Sequence, residues 1–359
     1  MKNLKKLIAL LLSVAMLLAL VACGTDKPED IDPQPDDGQT QPDDAEKQED
    51  PITVKVGVLK GPTGMGAVKI AKDSAEGKTT GAYEISFYET ADVNALTSAL
   101  VNGTVHVAAL PVNAGSALFN KTGGKVQAVA TNALGVLSIV GSEKLSDIKE
   151  LKGKTIHTTG QANTPEYILT YILEKNGMKA VTGDGELGDN GVRVNYYADG
   201  NTAMAAMVKD GGYAMLPEPA ATVALTKSTE TVKYSIVFDV TAEWSKVSET
   251  KLVQGCLIAN KDFADNYPKA LAALLADYKS SVDFVNSEEN VDAAADLLVE
   301  YGIVPKAPIA KQAIGRANIV CITGADMKAD VSAMLGVLLA ANPASVGGKL
   351  PTDEYYYGA

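Results

Sequence analysis

From residue 51 onward, short runs rich in β-branched and aromatic residues alternate with amphipathic stretches of ten or more residues. No other feature constrains the fold as tightly. A period-2 apolar pattern buries one face of a strand, and a 3.6-residue pattern buries one face of a helix. A chain that takes the two in turn builds α/β units. The pattern predicts strands over 53–59, 83–88, 105–110, 126–131 and 137–141, with helices over 65–75, 92–101 and 113–120 between them. Thr90 or Asp92 is the expected cap of the second of these helices. A short connection, 145–154, leads into a second round, with strands over 155–158, 192–197, 213–216 and 232–238 and helices over 165–176 and 201–208. Strand 252–259 carries the chain back, and the remainder reads as helices over 268–285, 291–301, 307–315 and 326–341. Roughly 300 residues exceed what one core usually holds. The expected architecture is therefore two α/β lobes: a discontinuous first lobe of 51–154 plus 253–359, and a second lobe of 155–252 inserted into it.

The residues before this body follow a different logic. Lys2, Lys5 and Lys6 form a basic start, an apolar run fills 7–22, and the run ends in Leu20, Val21, Ala22 and Cys23. A small residue just before such a cysteine is what a lipoprotein signal peptidase reads, so 1–22 is the predicted signal peptide and Cys23 the lipid attachment site. The run is short for a membrane span, which needs about 20 apolar residues. A pair of acyl chains on Cys23 would hold the chain stably at the membrane. Residues 24–50 carry eleven Asp or Glu against Lys27 and Lys47, with Pro28, Pro33, Pro35 and Pro42 among them. Too little apolar surface is present to offset the entropy of ordering, so 23–50 reads as lipid anchor and disordered acidic tether, roughly 30 Å in reach. The expected location is the outer face of the cell membrane, of Gram-positive type.

The formal net charge is −12, most of it in that tether, leaving about −6 on the body. Such a balance excludes a nucleic-acid surface, which needs clustered Lys and Arg. Of three cysteines, Cys256 and Cys321 sit in apolar runs and read as buried, unpaired thiols. Two lone histidines, His106 and His157, each fall in a strand pattern and read as core or structural residues; no metal site and no cofactor is predicted.

In open α/β sheets a ligand binds beyond the carboxyl ends of the strands. That rule selects five segments. Gly61, Pro62, Thr63, Gly64 and Met65 follow the first strand, and their glycines let backbone N–H groups approach a ligand. Pro111 and Asn113 follow the third strand, and Asn132 ends the fourth. Gly160 and Gln161 precede Thr164, the expected cap, and Pro165 at the first helical position. Glu218 follows a second-lobe strand, between Pro217 and Pro219. Each polar residue here serves capping or turn duty as readily as ligand contact. Only two arginines, Arg193 and Arg316, are present to clamp an oxyanion. This points to a neutral or weakly anionic organic solute, heterocycles included, with Tyr197 or Tyr167 as a stacking surface.

At these segments the chain resembles the solute-binding proteins of ABC importers, in the nitrate/sulfonate/taurine and thiamine-pyrimidine-precursor group. The resemblance rests on Val58, Leu59 and Lys60 leading into Gly61–Met65, on 107–113, on 131–137, on Met215, Leu216, Pro217, Glu218 and Pro219, and on the ending Gly348 to Tyr357. It implies a type II periplasmic-binding fold, two α/β lobes joined by a hinge with a ligand cleft between them. It also implies a monomer that delivers a small solute to a membrane permease and its ATPase, without enzymatic activity. A surface sensor or interaction module on the same fold is the alternative. An enzyme like those that make the thiamine pyrimidine is the remote third, since no cysteine cluster and no nucleophile–base set is present.

Overall fold

The computed structural model describes residues 50–89 and 92–359. Cys23 and the expected signal peptide and anchor, with all but the last residue of the expected tether, lie outside the described residues, as does Thr90. Strands are β1 (Thr53–Leu59), β2 (Ala82–Tyr88), β3 (Val107–Pro111), β4 (Val126–Ala133), β5 (Leu137–Gly141), β6 (Thr155–Thr159), β7 (Lys179–Val181), β8 (Gly191–Tyr197), β9 (Tyr213–Pro217), β10 (Ser235–Asp239), β11 (Gly255–Asn260) and β12 (Ile319–Ile322). Helices α1 (Pro62–Met65), α2 (Val68–Ala75), α3 (Val93–Val101) and α4 (Val112–Thr122) connect the first strands. Helices α5 (Thr164–Lys175), α6 (Gly200–Asp210), α7 (Ala220–Leu225) and α8 (Val240–Ser245) accompany the second round, and α9 (Lys261–Asn266), α10 (Pro268–Asn286), α11 (Val291–Glu300), α12 (Ala307–Ile314) and α13 (Gly324–Ala341) fill the end.

The strands form two six-stranded sheets, ordered β12-β4-β11-β3-β1-β2 and β10-β5-β9-β6-β8-β7. The type II periplasmic-binding fold expected from sequence is what the chain adopts. In the first sheet β2, β1 and β3 run parallel, and β11 enters antiparallel between β3 and β4. Helices cover both faces, so the inner strands are apolar throughout rather than alternating. Strand β3 shows the two faces within four residues. Val107 and Ala109 join Met65, Val68 and the α10 residues Leu271, Leu274 and Tyr278, whereas Ala108 and Leu110 join Leu96, Leu118, Met334 and Leu338.

Three expectations change. Strand β5, expected in the first lobe, pairs antiparallel with β9 and β10 in the second sheet. The chain therefore crosses at 134–136, ahead of β5, and not after 154. It returns at 252–254, and the two crossings are tied together. The Val136 N–H donates to Gln254 Oε1 at 2.6 Å, and the Gln254 N–H donates to the Ala133 carbonyl at 3.0 Å. The connection at 145–154 is a 3-10 turn, Ile148–Leu151, closed by an Asp147/Glu150 capping box.

The single helix expected over 65–75 is instead α1 and α2, broken at Gly66 and Ala67. Packing explains the break. Buried Ser281 of α10 donates to the Gly66 carbonyl at 2.7 Å and accepts from the Ile70 N–H at 3.0 Å, supplying bonds that a continuous helix would have made for itself. A Cβ at residue 66 would stand 2.6 Å from the Tyr278 hydroxyl, so only glycine fits there. Finally, α5 is capped at Asn163 rather than Thr164, and Thr164 lies within the helix with its hydroxyl directed elsewhere.

Candidate functional site

A cleft of about 1010 Å³ opens where the carboxyl ends of β1, β3 and β4 face those of β6, β8 and β9. On the first-sheet side it is walled by Lys60, Pro62 and Thr63 beyond β1, by Asn94 and Thr97 of α3, and by Pro111, Asn113 and Lys121 of the β3–α4 unit. The opposing wall is the loop from Thr159 to Thr164, Tyr167 of α5, Tyr196 and Tyr197 at the end of β8, and Pro217. Ala133, Val136, Leu137, Gln254 and Gly255, from the two crossings and the strand ends beside them, lie between. This volume matches the upper range of small-molecule sites.

The loop before α5 is built from local constraints. Gly160 has φ 78°, and a Cβ there would meet the Pro165 ring at 2.7 Å, so glycine is required on both counts. The Gly160 carbonyl accepts from the Asn163 N–H at 2.9 Å, and the Glu166 carboxylate accepts from the Ala162 N–H. Across the cleft the Asn113 carboxamide is 3 % exposed and fully engaged. Its Oδ1 accepts from the buried Thr164 hydroxyl at 2.8 Å, while Nδ2 donates to the Ser345 carbonyl at 3.3 Å and the Ala162 carbonyl at 3.5 Å. The two walls are thus clasped by side chains at the first turns of α4 and α5.

A second link between the sheets lies outside the cleft lining. Glu218, following β9, is wholly buried; its Oε1 accepts from Arg316 Nε at 2.7 Å and its Oε2 from the Thr222 hydroxyl at 2.6 Å. Arg316 stands between α12 and β12, so the pair spans both sheets. The other arginine, Arg193, donates to the carbonyls of Gly183 and Gly185. Neither arginine borders the cleft, whose charged lining residues are Lys60 and Lys121, with Lys60 paired to Glu89 at 2.6 Å.

Of the residues singled out from sequence, Pro62, Thr63, Pro111, Asn113, Gly160, Gln161 and Thr164 border the cleft, as do Tyr167 and Tyr197. Gly61, Gly64, Met65, Asn132 and Glu218 do not. Met65 is core, because the first turn of α1 directs it onto the sheet. Asn132 lies beneath Gly255, whose Cβ, if present, would sit 2.6 Å from Asn132 Oδ1. Both polar atoms of its buried carboxamide lack a protein partner. Residues that sequence reasoning missed include Asn94, Lys121, Tyr196, Gln254 and Gly255. A lone glutamine at the head of an apolar strand was the available signal for Gln254; Asn94 and Lys121 sit on helix faces that sequence alone does not orient. Cys256 and Cys321 stand as free thiols, and burial pushes Cys256 up to about 12 and Cys321 up to about 11.

No protein-family model matches the chain, and no curated protein matches it by sequence. Solved structures do match. An ABC transporter protein from Parabacteroides distasonis aligns with TM-score 0.67 at 18% identity, over 85% of this chain and 98% of that one. The periplasmic aliphatic sulphonate-binding protein of Escherichia coli aligns with TM-score 0.64 at 16% identity, over 86% and 98%. The periplasmic nitrate-binding protein of Synechocystis aligns with TM-score 0.51 at 16% identity, over 74% and 70%. At such identities the likeness speaks for the fold alone, and the two-lobed α/β fold is what this chain shares with those proteins.

Proposed function

We propose that this chain is an extracytoplasmic solute-binding lipoprotein, anchored through Cys23, that captures one small organic solute and delivers it to the permease and ATPase of an ABC importer. One observation carries the reading: a cleft of about 1010 Å³ at the strand ends of both sheets, with its walls clasped by the Asn113–Thr164 hydrogen bond. Lobes that close on solute by hinge motion use such a cleft. The paired crossings at 134–136 and 252–254 are the hinge in this reading. The solute-binding proteins of similar fold, named for sulphonate and nitrate, support the transport role.

The solute is neutral or weakly anionic. Both arginines are occupied away from the cleft, and no carboxylate, histidine or cysteine is among its lining residues. Such a lining favours binding over catalysis, which needs a nucleophile or base beside the substrate. Pro62, Thr63, Pro111, Gly160 and Gln161 are the contacts from the strand ends, with Tyr167 and Tyr197 as apolar surfaces. Native mass spectrometry of the full chain, purified from a metabolite-rich host, tests the proposal together with thermal shift across a metabolite library. One small molecule at near one-to-one stoichiometry, or one class raising the melting temperature, is expected. An empty protein that no library member stabilises would overturn it and favour the sensor or interaction module.

A further inference from the structure

His157 is 2 % exposed in the middle of β6, and both ring nitrogens are engaged. Nε2 lies 3.0 Å from the carbonyl oxygen of Gly211, at the end of α6, and Nδ1 lies 2.9 Å from the hydroxyl of Tyr197. A carbonyl oxygen only accepts, so Nε2 carries the hydrogen. The neutral ring then presents a bare Nδ1, and the Tyr197 hydroxyl must be the donor to it. Burial lowers the pKa of His157 below its ordinary value, against the smaller opposing pull of the Gly211 carbonyl and Asp210, which keeps the ring neutral at physiological pH. Tyr197 itself closes β8 and borders the cleft.

We infer that His157 is a positioning residue for the cleft: it fixes the direction of the Tyr197 hydroxyl and consumes its only hydrogen. The inference rests on the cleft being the solute site. Tyr197 therefore meets a solute through its ring and, at most, as a hydrogen-bond acceptor, never as a donor. The consequence is selective. A solute group that requires a donor at this place finds none, whereas an apolar or N–H-bearing group is tolerated. The backbone explains why these two side chains meet. His157 opposes Asn195 and Thr159 opposes Tyr197 in the parallel β6–β8 ladder, so residues 157 and 197 lie on one face of the sheet, a single diagonal step apart. Their rings stand 5.7 Å apart at 42°.

The test needs no solute, so its failure is separable from failure of the transport reading. The chain holds just two histidines, and a long-range proton–nitrogen spectrum of the full chain labelled with ¹⁵N-histidine shows two imidazoles, with His106→Gln assigning them. At pH 7.5 His157 is expected as the neutral Nε2–H tautomer with a hydrogen-bonded Nδ1. Tyr197→Phe is expected to shift that Nδ1 resonance to the position of an unbonded imine nitrogen, leaving the tautomer unchanged. The Tyr197 hydroxyl proton is expected to exchange slowly with water, to vanish into fast exchange in His157→Phe and to return in His157→Gln, whose amide oxygen also accepts. A ring protonated on Nδ1, or one whose Nδ1 resonance ignores Tyr197→Phe, overturns the inference. So does a hydroxyl proton unaffected by His157→Phe.

Discussion

At the scale of single residues, burial decides chemistry more than identity does. Cys256 is fully buried and its thiol is pushed up to about 12, with Cys321 at about 11, so neither is a thiolate at neutral pH. Both are expected to resist an aromatic disulfide reagent at pH 8 in the folded chain and to react at once in denaturant; rapid native labelling of Cys256 would contradict its placement. The histidines make a second case. His106 and His157 are both lowered from 6.5 chiefly by burial, with Lys55 adding to the effect at His106. A depressed folded value means the unfolded chain binds more protons on acidification. Their contribution to stability is therefore complete above about 6.5 and is lost as pH falls from there through the folded values. Urea unfolding from pH 7.5 to 5 is expected to show this decline, and a chain in which both histidines are replaced by Gln should show a shallower one. Sequence alone read both histidines as strand residues, which holds for His157 in β6 but not for His106, one residue ahead of β3. It gave no hint that one of them touches a cleft tyrosine, because that contact depends on strand pairing.

Between elements, side-chain links such as Asn113–Thr164 and Glu218–Arg316 hold the sheets in their present relation. Glu218 and Arg316, 98 residues apart, join the β9–α7 junction to the α12–β12 junction. Arg316→Met leaves a buried carboxylate without its cation, and about 3–5 kcal/mol of unfolding free energy is expected to go with it. Adding Glu218→Gln should restore much of the loss, because the uncompensated charge is then gone; a strictly additive double variant would show that the pair is not coupled. Thr164→Val removes the donor to Asn113 Oδ1, a smaller change of about 1–3 kcal/mol. Its more telling readout is small-angle scattering. A clasp across the cleft predicts a larger radius of gyration for Thr164→Val than for the parent, whereas a bond internal to one lobe would leave it unchanged. Glu218 also marks where reading by element reaches its limit. Its place after a strand, between two prolines, was legible, but whether its carboxylate turns to the cleft or to a cation was set by an arginine far along the chain.

For the whole molecule, the proposed function is a statement about two states. A solute that binds only the folded chain stabilises it by about 2.7 kcal/mol at a hundredfold excess over its dissociation constant. The same solute should lower the radius of gyration if the lobes close on it. Stabilisation without compaction would indicate a cleft already closed by the Asn113–Thr164 clasp.

The alternation of periods along 51–359 determined the kinds of element, most of their order and the strand ends at which a site would form, since each depends only on which local face is apolar. Strand β5 shows what such a pattern leaves open. Its run of buried residues suits either sheet, and only the competition among partners, won by β9 and β10, assigns it to the second. The same holds for the site. Pro62, Thr63, Gly160 and Gln161 border the cleft because backbone geometry alone carries a strand-end loop there. Asn113, Thr164 and Glu218 received their roles from residues distant in sequence. Hydrogen-bond partners satisfy buried polar groups wherever the chain brings them, and that is a property of the tertiary structure.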